Sequence, residues 1–132
     1  MTAAALATDA LACLARECPP AHARLRSALG ARRLRVQLAR EQFDIAAGEV
    51  VAPADDPALE LASDARTLHD VLLGELDVLD AVVGERVRVR GAVDDVIAAT
   101  IAMEVFLAGA LRCPSMPALL ERLGELARGD LS

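Results

Sequence analysis

The stretch that decides the fold is Leu59–Val93, LELASDARTLHDVLLGELDVLDAVVGERVRVRGAV. An alternating strand leads into a short apolar helix that stops at Gly74, and a second short helix, Leu76–Val83, follows. A strand of strict alternation, Arg86–Arg90, then stops at Gly91. Glycine readily adopts the backbone conformations that end helices and strands. Two helices on the connection between two strands can form a lid over one face of a sheet and enclose an apolar cavity.

Helices and further strands flank this stretch on both sides. Residues 1–30 have helical spacing, which Pro19-Pro20 interrupts. The period changes to alternation in residues 33–52, which predict three more strands. The sequence therefore predicts one α+β domain over residues 1–132. Its parts are N-terminal helices in 1–30, a five-stranded sheet with crossover helices 64–83 within 33–91, and C-terminal helices in 93–128.

Composition argues against several classes of function. The net charge of −6 disfavours binding of nucleic acid through bulk charge, and the absence of Trp and Tyr removes the usual platforms for stacking bases. All 14 basic residues are Arg, so no lysine is present to form a Schiff base. Arginine in place of lysine also indicates a GC-rich genome, and we expect a bacterial protein that does not bind nucleic acid.

Cysteine usage and hydropathy indicate a cytoplasmic protein. Cys13, Cys18 and Cys113 lack the spacing of a zinc motif, and an odd cysteine count without a secretory signal indicates reduced thiols. We therefore expect no metal and no cofactor. The longest apolar run, Val96–Leu111, is shorter than the ~20 residues that span a bilayer and contains Glu104, so we expect no stable membrane insertion.

The stretch Leu59–Val93 resembles the sterol carrier protein type 2 family of lipid-binding domains. The shared features are a helix that ends in glycine, a second helix that carries an alanine, and two glycines on either side of a short strand. Here they are Thr67-Leu68 with Leu72-Leu73-Gly74, then Ala81, then Gly84-Glu-Arg-Val-Arg-Val-Arg-Gly91. The resemblance implies a five-stranded, mostly antiparallel sheet with helices packed on one face, enclosing an apolar cavity that binds hydrophobic molecules.

The resemblance also implies that the apolar faces of the crossover and C-terminal helices line that cavity. On the long helix, the periodicity predicts an inward stripe through Val93, Ile97, Ile101, Val105 and Ala108. Periodicity alone is equally consistent with a solid core, because native interiors are close-packed. The expected ligand-binding residues are Leu68, Leu72, Leu76, Leu79, Val82, Val83, Ile97, Thr100, Ile101, Glu104, Val105, Leu119 and Leu123.

Glu104 and His69 are the candidate catalytic residues. Glu104 falls on the apolar stripe of the long helix, one turn after Thr100. One interpretation pairs it with an arginine, Arg112 or Arg122, at the helix edge. The other places Glu104 and Thr100 on the cavity wall as hydrogen-bonding groups, where desolvation would raise the pKa of Glu104 and suit it to proton transfer. His69 is either a second proton-transfer group or a surface histidine.

Arginines mark the outward side of two strands, Arg33 and Arg35 on the first and Arg86, Arg88 and Arg90 on the fifth. The strand order of the resembled family places Glu60 between them. This arrangement is either a solvated cross-strand ladder of Arg and Glu or an electropositive patch for an anionic partner or a second subunit.

Three hypotheses of function follow. The first, which we prefer, is an intracellular, non-catalytic carrier for a hydrophobic small molecule that is lipid, sterol-like or polyketide-like. The second is a small biosynthetic enzyme of isomerase or cyclase type that uses the same cavity, with Glu104 or His69 moving a proton. The third is a homodimeric interaction protein without a ligand.

Overall fold

The computed structural model describes residues 2–38, 40–55, 57 and 59–131. The helices and strands follow one another in the predicted order. Their bounds are α1 (Ala3–Glu17), α2 (Pro19–Leu29), β1 (Leu34–Leu38), β2 (Glu41–Ala46), β3 (Glu49–Val51), β4 (Leu59–Ser63), α3 (Ala65–Leu72), α4 (Val78–Val83), β5 (Arg88–Gly91), α5 (Val93–Ala110) and α6 (Met116–Leu131).

Local sequence explains where these helices begin and end. Thr2 caps α1 by accepting a hydrogen bond from the amide of Ala5, and the carboxylate of Asp64 caps α3 through the amide of Thr67. Pro19 and Pro20 occupy the first turn of α2, where a missing amide hydrogen costs nothing. The proline pair therefore begins a second helix directly after the first.

The strands form one mixed sheet in the order β3-β2-β1-β4-β5. In the described residues, β1 and β4 pair in parallel, and the other three neighbouring pairs are antiparallel. The prediction of a five-stranded, mostly antiparallel sheet with helices on one face is confirmed. Helices α3 and α4 form the connection between β4 and its antiparallel neighbour β5.

The register separates an apolar from a charged face of the sheet. Leu34, Val36 and Leu38 of β1 are buried toward the helices, as are Phe43 and Leu59 on the neighbouring strands. On the other face, Glu60 lies opposite both Arg35 and Arg90, as predicted. The period of two along each strand produces this division.

The helices complete two joined cores. One combines the inner face of the sheet with α1, α3 and α6, and the other combines α1 and α2 with α5 and the turn that follows it. Among the described helices, none combines the length and apolarity that crossing a bilayer requires. Gly109 shows how closely α5 approaches its neighbours, since a methyl group there would lie 2.6 Å from Cβ of Ala21 and 2.7 Å from Cδ1 of Leu14.

The expected inward stripe on α5 is wrong. Val93, Ile97 and Ile101 are 75%, 52% and 47% exposed, and Ala108 is exposed as well. The buried face consists of small residues, because only these let α2 and the sheet come close. Helix α5 has apolar residues of its own on every side, so hydrophobicity does not distinguish the sides. Side-chain size decides which side faces inward. The buried residues of α5 are Ala98, Ala99, Ala102, Gly109 and Ala110.

Candidate functional site

An apolar pocket of about 210 Å³ lies between the inner face of the sheet and the helices. Its floor is formed by alternate residues of the central strands, which the period of two directs to the same side. The floor residues are Leu34, Val36, Leu38, Phe43, Ile45 and Leu61.

Four helices form most of the pocket wall. Each contributes residues at helical spacing, so one side of each helix faces the pocket. These are Leu6, Ala7 and Ala10 of α1, Leu68, Val71 and Leu72 of α3, Ala99, Ala102, Met103, Phe106 and Leu107 of α5, and Leu119, Leu120 and Leu123 of α6.

The described lining of the pocket carries no titratable side chain. Ser63 is its polar member, and the Ser63 hydroxyl lies 3.1 Å from the carbonyl oxygen of Arg86, to which it donates. Hydrogen bonding within the chain already uses this group. The described lining therefore offers mainly apolar contact to a guest.

The structure places four of the sequence-predicted ligand residues on this wall, Leu68, Leu72, Leu119 and Leu123. The other nine do not line it. One of them, Leu76, lies in the connection between α3 and α4. The others are Leu79, Val82 and Val83 on α4, and Ile97, Thr100, Ile101, Glu104 and Val105 on α5.

These differences arise because α4 and α5 each bury a different side from the one that the apolar periodicity predicted. Helix α4 begins at Val78 after its cap Asp77, and it buries Val78 and Ala81 while Leu79 and Val83 point to solvent, 57% and 78% exposed. On α5 the lining positions have the predicted spacing but belong to the opposite side of the helix. Ala102, Met103 and Phe106 were missed for this reason. Phe106 carried a signal, because it is one of only two aromatic residues in the chain.

Neither catalytic candidate reaches the pocket. Glu104 is exposed on the outer side of α5, and Arg122 donates to Asp9 at 2.9 Å. The hydroxyl of Thr100 donates to the carbonyl oxygen of Val96 at 2.9 Å. His69 is half-buried and faces α6, where a methyl group at Gly124 would lie 3.2 Å from Nε2 of the imidazole.

The outer face of the sheet contains a buried ion cluster around Asp44. Its carboxylate is fully buried and accepts hydrogen bonds from Nε of Arg33 at 2.6 Å, Nε of Arg35 at 3.1 Å and the amide of Ala54 at 3.0 Å. Burial by itself raises the pKa of Asp44, but the bonds from Arg33, Ala54 and Arg35 together hold that pKa below its ordinary value. Arg33 also donates to the carbonyl oxygen of Ala52, and Arg35 donates to that of Ala54. The cluster thus attaches the segment that follows β3 to the outer face of the sheet.

A larger open groove of about 730 Å³ lies at the end of β1 and β4. Arginines and carboxylates of opposite charge line it together, and several already serve the fold. Glu41 accepts from the amide of Ala3 at 2.6 Å, Asp64 caps α3, and Arg86 donates to the hydroxyl of Thr67 at 3.3 Å. We therefore take the apolar pocket as the candidate functional site.

One group of side chains has the chemistry of a metal site. Cys13, Glu17 and Cys113 place their sulfur and carboxylate oxygen atoms within 4.8 Å of one another. The spacing of the cysteines along the chain does not reveal this group, because 100 residues separate Cys13 from Cys113.

Comparisons with known proteins relate the fold to sterol carrier protein 2 domains. No protein-family model matches the chain, and no curated protein matches it. A solved ubiquinone synthesis protein, UbiJ-SCP2, is similar with a TM-score of 0.54 at 17% identity, over 80% of this chain and 95% of that one. Sterol carrier protein 2 like 2 from Aedes aegypti aligns with a TM-score of 0.43 at 17% identity, over 67% of this chain and 95% of that one. The first similarity shows a common fold, as the sequence resemblance implied.

Proposed function

We propose that this protein is a non-catalytic binding module that carries a hydrophobic small molecule in the apolar pocket. The observation that carries the proposal is the lining itself, in which aliphatic side chains, two methionines and two phenylalanines surround the space. Ligand sites of this kind are concave and mainly apolar, with few polar groups. The fold that this chain has in common with a sterol carrier protein 2 domain supports the same function.

The dimensions of the pocket favour a slender aliphatic ligand. A volume of about 210 Å³ is below the ~300–1,000 Å³ of typical ligand pockets. Met103 and Met116 lie on its wall, and methionine side chains adapt readily to irregular shapes. A guest larger than the present space enters by displacing these flexible side chains and the helices that carry them.

The enzyme hypothesis receives no support from the site. Glu104 and His69 lie outside the pocket lining, and proton transfer requires hydrogen-bond reach to the reacting group. We therefore place binding without chemistry first.

One observation favours a second function, self-association. The outward side of α5 presents Val93, Ile97 and Ile101, and Leu111 after the helix is 84% exposed. Contiguous exposed apolar residues often mark protein interfaces. If this face forms a homodimer, sedimentation velocity will show a dimer for the natural chain and a monomer for the Ile97→Glu, Ile101→Glu variant.

The carrier proposal is tested by filling the pocket. Ala102 is 4% exposed and lines the space, whereas Ala108 lies on the exposed side of the same helix. Ala102→Phe should reduce uptake of a fluorescent fatty acid at least tenfold, and Ala108→Phe should leave it unchanged. Ala10→Leu, at a half-buried position of the wall, is the second pocket-filling variant.

Native mass spectrometry of freshly purified protein provides the direct measurement. We expect a co-purifying apolar molecule in the natural chain and its loss in Ala102→Phe. If fatty acid and sterol probes do not bind to the natural chain, or if both alanine variants bind equally well, the proposal is wrong.

A further inference from the structure

Three potential metal ligands meet where the end of α1 contacts the turn after α5. Cys13 and Glu17 are four residues apart on α1, so they lie one above the other on one side of the helix. Cys113 comes from the turn that follows α5. The sulfur atoms of both cysteines and a carboxylate oxygen of Glu17 all lie within 4.8 Å of one another.

The surroundings hold these groups in place. Cys13 and Cys113 are 1% and 4% exposed, and the thiol of Cys113 donates to the carbonyl oxygen of Gly109 at 3.4 Å. The carboxylate of Glu17 accepts hydrogen bonds from the amide of Ser115 at 2.9 Å and from the hydroxyl of the same residue. Metal-binding carboxylates are commonly oriented by such hydrogen bonds from neighbouring groups.

We propose that Cys13, Cys113 and Glu17 bind a thiophilic divalent cation, Zn²⁺, with water as the fourth ligand. Two sulfur ligands and one carboxylate suit zinc, while magnesium and calcium prefer oxygen alone. With zinc–sulfur bonds of ~2.3 Å, two sulfur atoms of a tetrahedral site are ~3.8 Å apart. The three ligand atoms already lie within 4.8 Å of one another, so each needs to move inward by less than about 1 Å to reach that spacing.

A positive charge lies close to this group, since Nη2 of Arg16 is 3.4 Å from Oε2 of Glu17. When Zn²⁺ binds, each thiol loses its proton to solvent. The metal, two thiolates and the Glu17 carboxylate then carry one negative charge together, which the nearby guanidinium group helps to balance.

The third cysteine provides a matched control. Cys18 follows α1 directly and is half-buried, but its sulfur does not belong to the group within 4.8 Å. A zinc site made by Cys13 and Cys113 will therefore persist in Cys18→Ser.

Metal binding to the full chain tests the proposal. The protein is reduced, treated with a chelator, and titrated with Co²⁺, whose thiolate complexes absorb by sulfur-to-cobalt charge transfer. We expect this absorption to saturate at one Co²⁺ per chain and to disappear when Zn²⁺ is added. A pH indicator in weak buffer should report about two protons released per metal ion.

Variants assign the ligands. Cys13→Ser and Cys113→Ser should abolish the charge-transfer band, and Glu17→Gln should weaken Co²⁺ binding at least tenfold. Circular dichroism checks that each variant is folded. Glu17→Gln disturbs the core least, because the Glu17 side chain is 16% exposed and both cysteines are buried. Cys18→Ser should bind as the natural chain does.

Three results would overturn the proposal. These are no charge-transfer band in the reduced natural chain, a band that depends on Cys18 and survives Cys13→Ser, and a Cys13–Cys113 disulfide that forms in the presence of oxidised glutathione even when Zn²⁺ is saturating. None of these results depends on binding of an apolar ligand, so the carrier function is tested separately.

Discussion

Asp44 holds the outer face of the sheet together. Its buried carboxylate is paired with two arginines, and the same arginines fix the segment after β3 through backbone carbonyls. A buried ion pair of this kind contributes little by itself, but removal of one partner leaves the other charges without compensation. Arg35, whose side chain is only 12% exposed, would be most affected.

Asp44→Asn should therefore destabilise the protein at neutral pH. We expect a loss of about 3 kcal/mol, since breaking a buried pair costs ~3–5 kcal/mol and Arg33 remains partly solvated. The pKa of Asp44 is lowered in the folded state, so its contribution is present above the unfolded pKa of ~3.9 and is lost as the pH falls through the folded value. Urea unfolding from pH 7 to pH 2 should show the difference between the two proteins shrinking below about pH 4.

Glu49→Gln is the matched control for this prediction. Glu49 is an exposed carboxylate on the adjacent strand. Its substitution should change the free energy of unfolding by less than ~0.5 kcal/mol. A pH-independent difference between natural chain and Asp44→Asn would contradict our explanation.

Glu104 and His69 provide a test of the binding mode. Both lie outside the described pocket lining, so Glu104→Gln and His69→Ala should each leave the affinity for a fatty-acid probe within twofold of that of the natural chain. Fluorescence titration measures this directly. A tenfold loss in either variant would place that side chain at the ligand and return the enzyme hypothesis to consideration.

Among the elements, α5 depends on small residues for its position. Gly109 lies where Ala21 and Leu14 leave no room for a side chain. Gly109→Ala should destabilise the protein by ~1–3 kcal/mol, because extra volume in a packed contact forces backbone shifts.

In α6, a methyl group at Gly129 would meet nothing within 4 Å, so Gly129→Ala should stabilise the protein by up to ~1 kcal/mol through helix propensity. The melting temperatures of the two variants measure these effects, and we expect a decrease for Gly109→Ala and an increase for Gly129→Ala. A change of the same sign and size in both variants would contradict this explanation.

Element order and sheet pattern could be predicted from sequence, because local periods determine both. The glycines after the crossover helices, such as Gly74 with φ of 79°, mark where these helices end. The helix face that lines the pocket could not be predicted in the same way. On α5 the large residue Ile97 is exposed and the small residue Ala99 is buried. Close packing of α5 against its neighbours requires small side chains on the buried side, and the hydrophobicity of each residue does not indicate this. For α4, the cap at Asp77 moved the start of the helix and changed which side is buried.

For the molecule as a whole, the proposed function is a property of the space between layers. Its walls come from the sheet and from all six described helices, so no local motif specifies its size. The same reason explains why the group of Cys13 and Cys113 was missed, since it arises from contact between distant parts of the chain.

Affinity should rise with ligand chain length until the pocket is full. Each added methylene contributes ~0.8 kcal/mol on burial, which is about fourfold in the dissociation constant. Calorimetric titration with saturated fatty acids of increasing length should show this increment and then a plateau. An affinity that is independent of chain length would indicate binding at the surface.

The apolar pocket also bears on how the molecule responds to pressure. Unfolding eliminates the space between packed elements, so a ligand-free chain with a pocket of about 210 Å³ should lose volume when it unfolds. Compression should therefore unfold the free protein more readily than the loaded one. The pressure at which half of the protein is unfolded can be followed by NMR or by the fluorescence of an attached label. This pressure should rise when a guest is bound, and it should also rise in Ala102→Phe. The unfolding pressure thus reports whether the pocket is occupied, even when the bound molecule has not been identified.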